Sequence, residues 1–365
     1  MPDISQNAIA ATNGTGTAIS LTPASNTCTA NITNNLSNRN LIMNGSMQCS
    51  QRADLTASAD GYGGVDRWYL YNAGDGRITV TQATDVPSTN EFKYSLKLDV
   101  TTADTAGASS RGWIGQWLEA RDSGVTLKGT SAAKKVTVQF WVKSPKTGTH
   151  IVGLGDSNAT TGSANSRFVN VTYTVSSANT WEKKTVTFPA DTTGVFNTTT
   201  ARGLWLGFRL VAGSNSTSGA LATSWQDYAV ANEGAGQVNV LDNTSNDFYL
   251  TGVQAELGDY SSDFDHKKYG DELKDCKRYF QTCRYAYYGV ASTAGYFEGG
   301  NIMYPIEPRT SPTLAITAFN GSTRWTQATT GSTSTSILSF NVWSSPQSSG
   351  GNDGFQVEFS VEADL

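Results

Sequence analysis

The run VTVQFWV at residues 136–142 places an apolar side chain at every second position, so Val136, Val138, Phe140 and Val142 share one face. A period of two belongs to an extended chain whose successive side chains point to opposite sides of a sheet. The same alternation returns in RITVTQAT (77–84), YSLKLDV (94–100), RFVNVTYTV (167–175), WEKKTVTFPA (181–190), ARGLWLGFRLV (201–211) and DFYLTGVQAEL (247–257). Each run has the length of a strand and is bounded by Gly, Asn, Ser or Asp. In LWLGFRL, Leu204, Leu206, Phe208 and Leu210 take one face while Trp205 and Arg209 take the other. Strands in this number, each with one apolar face, must cover one another, which predicts an all-β chain with a two-sheet jelly roll over 38–265. With 36 Gly and only 16% charged residues, the composition offers little from which to build helices.

One stretch breaks the pattern. DELKDCKRYFQTC (271–283) is dense in charge and has neither Gly nor Pro. Leu273, Cys276, Phe280 and Cys283 follow one another at spacings of 3, 4 and 3, with Tyr279 widening the same face. That is an apolar helical stripe, and it predicts a short amphipathic helix within 266–283, with Asp271 as N-cap. Its five apolar residues, Leu273, Cys276, Tyr279, Phe280 and Cys283, are expected to pack the helix between two β domains. Cys276 and Cys283 lie about 10 Å apart along such a helix, too far for a disulfide, and read as buried thiols. Beyond it, NIMYPIEP, SPTLAITAFN, SILSFNVW and GFQVEFSVEADL return to strands and predict a smaller β-sandwich over 284–365.

Residues 1–37 contain no aromatic residue and are rich in small polar ones, too little apolar surface to fold alone. They read as an extended arm anchored on something else. A net charge of −5 without a basic block argues against nucleic acid as a partner. Apolar runs such as LWLGFRLVAG (204–213) fall far short of the roughly 20 residues of a membrane span. The start of the sequence has neither the basic nor the apolar region of a secretory leader, which points to synthesis in a cytoplasm. Four cysteines in 365 residues make no disulfide framework.

NLIMNGSMQCSQR (40–52) followed by GYGGVDRWYLY (61–71) resembles the start of a β domain found in bacteriophage tail-fibre and other virion proteins. The matching positions are Asn40, Leu41, Asn44, Gly45, Gln51, Arg52, Asp66, Arg67 and Trp68. The later signature of that family resembles GVQAELGDYSSDFDHKKYGDELKDCKRYFQ (252–281), matched at Glu272, Leu273, Cys276, Arg278, Tyr279 and Phe280. PRTSPT (308–313) and FSVEADL (359–365) resemble the small terminal domain that follows, and the arm is similar to those of tailed-phage fibres, cyanophage and other marine phage among them. Ala53 stands where the family often has Gly. The resemblance implies a jelly roll like those of carbohydrate-binding modules, a place in the virion and a homotrimer. Other virion proteins would then be held through the arm.

Catalytic patterns are weak. GDSN (155–158) with DFDH (263–266) echoes an esterase set of Ser157, Asp263 and His266, but such esterases need a parallel α/β sheet that this chain does not offer. His150 beside PKTGT reads as a turn residue. Two His and no clustered Cys argue against zinc, and no glycosidase carboxylate pair can be assigned. No catalytic residue and no cofactor is expected. A structural calcium on loop Asp and carbonyl oxygens is compatible with a jelly roll, without nameable ligands. Trp68, Trp141 and Trp181 read as packing residues. Trp225 and Tyr228 lie instead in the irregular stretch GALATSWQDYAVANEGAG (219–236), where aromatic side chains suit either stacking on sugar rings or plugging the loop onto the sandwich or a neighbouring subunit. The expectation is a non-enzymatic virion fibre subunit that attaches to a host-surface glycan. The alternatives are a capsid decoration protein and, less favoured, a glycan-degrading or esterase enzyme.

Overall fold

The computed structural model describes residues 39–156, 166–194, 199–289, 300–321 and 354–365 in full, and the backbone of strand residues 9–10, 17–19, 21–24, 27–30, 290, 298–299, 329–330, 339–344 and 352–353. Met1–Arg39 and Asn40–Leu365 are two separate units. In the first, Ile9–Ala10 pairs antiparallel with Thr17–Ile19, and Leu21–Ala24 with Thr27–Ala30.

The second unit begins with thirteen strands: β1 Leu55–Ser58, β2 Asp60–Tyr62, β3 Tyr69–Asn72, β4 Arg77–Ala83, β5 Ser95–Thr102, β6 Arg111–Glu119, β7 Val136–Lys143, β8 Gly148–Asp156, β9 Arg167–Val175, β10 Glu182–Phe188, β11 Arg202–Ala212, β12 Gln226–Asp227 and β13 Asp247–Leu257. They form a seven-stranded sheet in the order β12-β9-β8-β11-β6-β3-β2 and a six-stranded sheet in the order β10-β7-β13-β5-β4-β1. All pairings are antiparallel, as the jelly-roll expectation requires. Val136, Val138, Phe140 and Val142 from one sheet meet Leu204, Leu206, Phe208 and Leu210 from the other in a single core. Phe140 stands edge-on to Phe208 at 4.8 Å, and Trp68 is fully buried beside it. His150 is not a turn residue. It is a buried residue of β8, stacked on Tyr173 at 5.3 Å, because its inward position alternates with the outward ones around it.

The helix spans Tyr269–Lys277, with Lys268 rather than Asp271 at its N-cap position. It is shorter than the apolar stripe suggested. Phe280 and Cys283 belong to β14 Phe280–Val290, which pairs residue for residue with β19 Asn352–Glu362. The reason is a second periodicity inside the same stretch: Cys283, Tyr285 and Tyr287 alternate with exposed Thr282, Arg284 and Ala286, and the long ladder wins over the last helical turn. The remaining strands are β15 Glu298–Met303, β16 Thr313–Gly321, β17 Thr329–Thr330 and β18 Ser339–Ser344. They complete two three-stranded sheets, β14-β19-β16 and β15-β18-β17. Cys283, Phe355, Val357, Phe359 and Val361 form a second, smaller core there.

The head and tail motifs of the sequence converge at the helix. The Glu272 carboxylate accepts from the Asn44 amide, and Cys276 is buried beside Cys49. Asn44, at φ 53°, ties its side chain to the Cys49 and Asp66 carbonyls at 2.8 and 3.0 Å. Gly45 follows because a Cβ there would lie 2.0 Å from the Val253 carbonyl oxygen. Arg67 is buried flat on the Tyr279 ring at 3.4 Å, and the Tyr279 hydroxyl donates to Glu119 at 2.9 Å. Arg278 donates to the same carboxylate at 2.8 and 3.2 Å. Arg52 stacks on Phe280 and pairs with Asp364, while Leu273 is half-buried. The residues are thus held by one polar network, in which each buried charge has a partner.

Candidate functional site

The outer face of the seven-stranded sheet is where the architecture departs from an ordinary β surface. On β6, Ile114 and Leu118 point into the core, so Arg111, Trp113, Gly115, Trp117 and Glu119 fall on the outside. On β11 the same rule turns Trp205, Gly207 and Arg209 outward. Register places Trp117 opposite Trp205 and Gly115 opposite Gly207.

Trp205 lies down on the sheet instead of standing off it. A Cβ on Gly207 would come 2.2 Å from its Cζ2, one on Gly153 3.0 Å from its Cζ3, and one on Gly155 3.2 Å from its Cε3. Three glycines on adjoining strands therefore make a bed that only a flat indole fills. Trp113 packs edge-on to it at 5.1 Å, and Trp117 lies 6.2 Å away. The aromatic surface continues along β3 and β2: Tyr71 stacks on Trp113 at 5.6 Å, Tyr69 lies 5.8 Å from Trp113, and Tyr62 lies 4.8 Å from Tyr69.

Arginines edge this surface. The Arg202 guanidinium lies 4.8 Å over Trp117, Arg209 5.1 Å over Trp205 and Arg111 5.2 Å over Tyr71. Arg209 donates to Glu233 at 3.2 Å, and Arg111 Nε lies 3.7 Å from the same carboxylate. Arg111 also donates to the hydroxyls of Tyr228 at 2.6 Å and Tyr71 at 3.1 Å. Burial works against the charge on Arg111, but Glu233 and the two phenols outweigh it and raise its pKa. Burial, with Glu233 beside it, pushes the Tyr228 hydroxyl up to about 12, so it stays protonated. The result is a cleft of about 340 Å³ lined by Trp113, Trp117, Trp205, Tyr228 and the arginines. Its far end is closed by a buried ion cluster. Lys128 pairs with Asp156 and with Asp191, and Arg167 donates to Asp191 at 2.9 Å. Burial alone would raise the Asp191 pKa; Arg167 and Lys128 hold it well below the usual carboxylate range.

The two loop aromatics part company. Tyr228 lines the cleft, 5.4 Å from Phe168. Trp225 is half-buried beside the jelly-roll core and donates its indole N–H to the Pro189 carbonyl at 2.7 Å. The stronger aromatic residues, Trp113, Trp117 and Trp205, are strand residues, where a Trp normally means core. The signal was a W-x-x-x-W pair with Gly between, on the face opposite Ile114 and Leu118. Of the esterase set, Ser157 lies outside the described residues; His266 sits 3.5 Å from Glu91 and edge-on to Phe264 at 4.8 Å. Among the described residues, no group of three or more His, Cys, Asp or Glu side chains is placed to hold a metal ion.

No protein-family model matches the chain. No curated protein matches its sequence. Among solved structures, it is similar to the enzymatically active domain of bacteriophage CBA120 tailspike protein 4, at 16% identity and a TM-score of 0.32, over 60% of this chain and 21% of that one. The chain thus spans about a fifth of the tailspike domain's length. A sugar-binding protein of Bacteroides thetaiotaomicron, itself described as putative, gives 12% identity and a TM-score of 0.35 over 60% of this chain and all of that one. A family 11 carbohydrate-binding module of a Clostridium thermocellum cellulosomal cellulase gives 12% identity and a TM-score of 0.30 over 58% and 99%. At these TM-scores none of them bears on what this chain binds.

Proposed function

We propose that the chain is a glycan-binding protein of a virion appendage, and that the outer face of its seven-stranded sheet holds the saccharide. One observation carries the reading: Trp205 laid flat on three glycines at the floor of a cleft, flanked by Trp113 and the more exposed Trp117, continued by three tyrosines and edged by arginines. Sugar C–H faces stack on aromatic rings, while guanidinium and phenol groups bond the hydroxyls. A concave, largely aromatic site with a few fixed polar groups is the ordinary form of a small-ligand pocket. Both carboxylates lining the cleft are already engaged, Asp156 by Lys128 and Glu233 by Arg209, which favours binding over hydrolysis. The virion assignment rests on the resemblance of the two motifs around the helix, with anchoring through residues 1–37 and assembly as a homotrimer. Attachment through three copies would turn weak stacking into avidity.

A glycan array probed with the wild-type chain and with Trp113→Ala tests the binding. The reading expects one or more saccharides to be retained by the wild type and lost by the variant. Signals of equal strength for both proteins would overturn it. Labelling the protein on intact particles, and light scattering of the purified chain, test the appendage and the trimer.

A further inference from the structure

We propose that the saccharide in this cleft is anionic, with its carboxylate or sulfate seated at Arg202. The proposal deepens the glycan reading above and depends on it. The chain as a whole carries a net charge of −5, yet the cleft is lined by Arg111, Arg167, Arg202 and Arg209. Three of these have carboxylate partners: Arg167 in Asp191, and Arg111 and Arg209 in the one carboxylate of Glu233. Arg202 is different. It is exposed, and among the described residues it has no carboxylate partner, only the Trp117 ring beneath it. A guanidinium held flat by an indole keeps its N–H fork free at the edge, the geometry that meets a planar oxyanion with two parallel hydrogen bonds.

The neighbouring donors point the same way. The Trp205 indole N–H and the Arg209 Nε–H are buried and have no acceptor among the described residues, and Arg111 Nε has none at hydrogen-bond distance. Buried donors without acceptors are costly in a finished structure. Here all three belong to side chains of one cleft, and all three are satisfied by a ligand rich in acceptor oxygens. A neutral sugar ring supplies hydroxyls, which both donate and accept. An acidic one supplies oxygens that only accept, in a cleft where, among the described residues, the buried groups without a hydrogen-bond partner are three donors against one acceptor, Glu233 Oε2.

Titration calorimetry decides the matter with three probes: a galacturonate trisaccharide, its carboxyl-reduced neutral counterpart and a sulfated galactan oligosaccharide. The wild type is expected to bind one of the acidic probes at least about tenfold tighter than the neutral one, the ordinary worth of a charge-assisted hydrogen bond. That preference is expected to shrink several-fold in 0.5 M salt and in Arg202→Gln, an exposed substitution whose fold is checked by its melting temperature. The two acidic probes tell carboxylate from sulfate. Equal binding of acidic and neutral probes overturns the proposal while leaving the glycan reading intact. An acid preference that survives Arg202→Gln overturns the seat assigned to it. Binding of no probe, with Trp113→Ala indistinguishable from wild type on the array, overturns both.

Discussion

The two outer faces of one sandwich differ more than its two sheets do. On the six-stranded sheet, Thr79, Thr81, Lys97, Asp99 and Thr185 make a partly solvated β surface whose charges pair locally, as Lys97 does with Asp247 at 3.0 Å, and its aromatic residues are confined to a small patch where Trp181 stands edge-on to Tyr249 at 6.0 Å under Lys143. On the seven-stranded sheet the equivalent positions carry Trp113, Trp117, Trp205, glycines and arginines. Both sheets need one apolar face to close the core, and both have it. What distinguishes them lies wholly on the side that folding does not require. A second aromatic layer on a sheet already packed on its other side is more than closing the core requires, and that excess marks the face as a candidate binding surface.

The contrast can be broken first where the aromatic face meets the helix. Glu119, the last outward residue of β6, is fully buried and holds Arg278 and Tyr279. Glu119→Ala leaves those groups unpaired and is expected to cost about 3 kcal/mol, read by denaturant unfolding. Gly207→Ala is the next largest. Its Cβ collides with the Trp205 ring, so about 1–3 kcal/mol of stability and at least about tenfold in saccharide affinity should go together. Gly124→Ala, at a right-handed backbone position where a Cβ meets nothing within 4 Å, is expected to spare affinity.

A third test separates the inner side from the outer. Burial lowers the His150 pKa below its ordinary 6.5. The folded chain thus refuses a proton that the unfolded chain accepts. His150 is therefore without cost above about 6.5, and stability falls as pH drops from there through the lower folded pKa. Chemical unfolding between pH 7 and pH 5 should show that slope, and His150→Phe should flatten it. Gly207→Ala should leave it in place. The smallest effect belongs to the ordinary face: Thr185→Ala is expected within about 0.5 kcal/mol of wild type and without change in binding.

Much of this was legible beforehand. Alternation placed the core residues of β7 and β11 correctly, because a period of two admits only one buried set. The motif residues from Asn40 to Trp68 and from Glu272 to Phe280 were recognisable as a pair, though nothing in the sequence showed that they meet around Glu119. The helix was read too long because CKRYFQTC carries both periodicities, and only the partner strand from Asn352 to Glu362 decides between them. The loop stretch points to Tyr228, which lines the cleft, whereas the alternation in LWLGFRL turns Trp205 away from the leucines without showing the consequence. That consequence needs Gly153 and Gly155 from another strand, and pairing between distant strands is not written in any one of them.

The most direct test is a crystal structure of the chain with a saccharide taken from the array. The account predicts a sugar ring against Trp113, Trp205 and Trp117, within hydrogen-bond reach of Arg202 or Arg111. A sugar seated on the six-stranded sheet, or elsewhere on the chain without contact to these indoles, would contradict it.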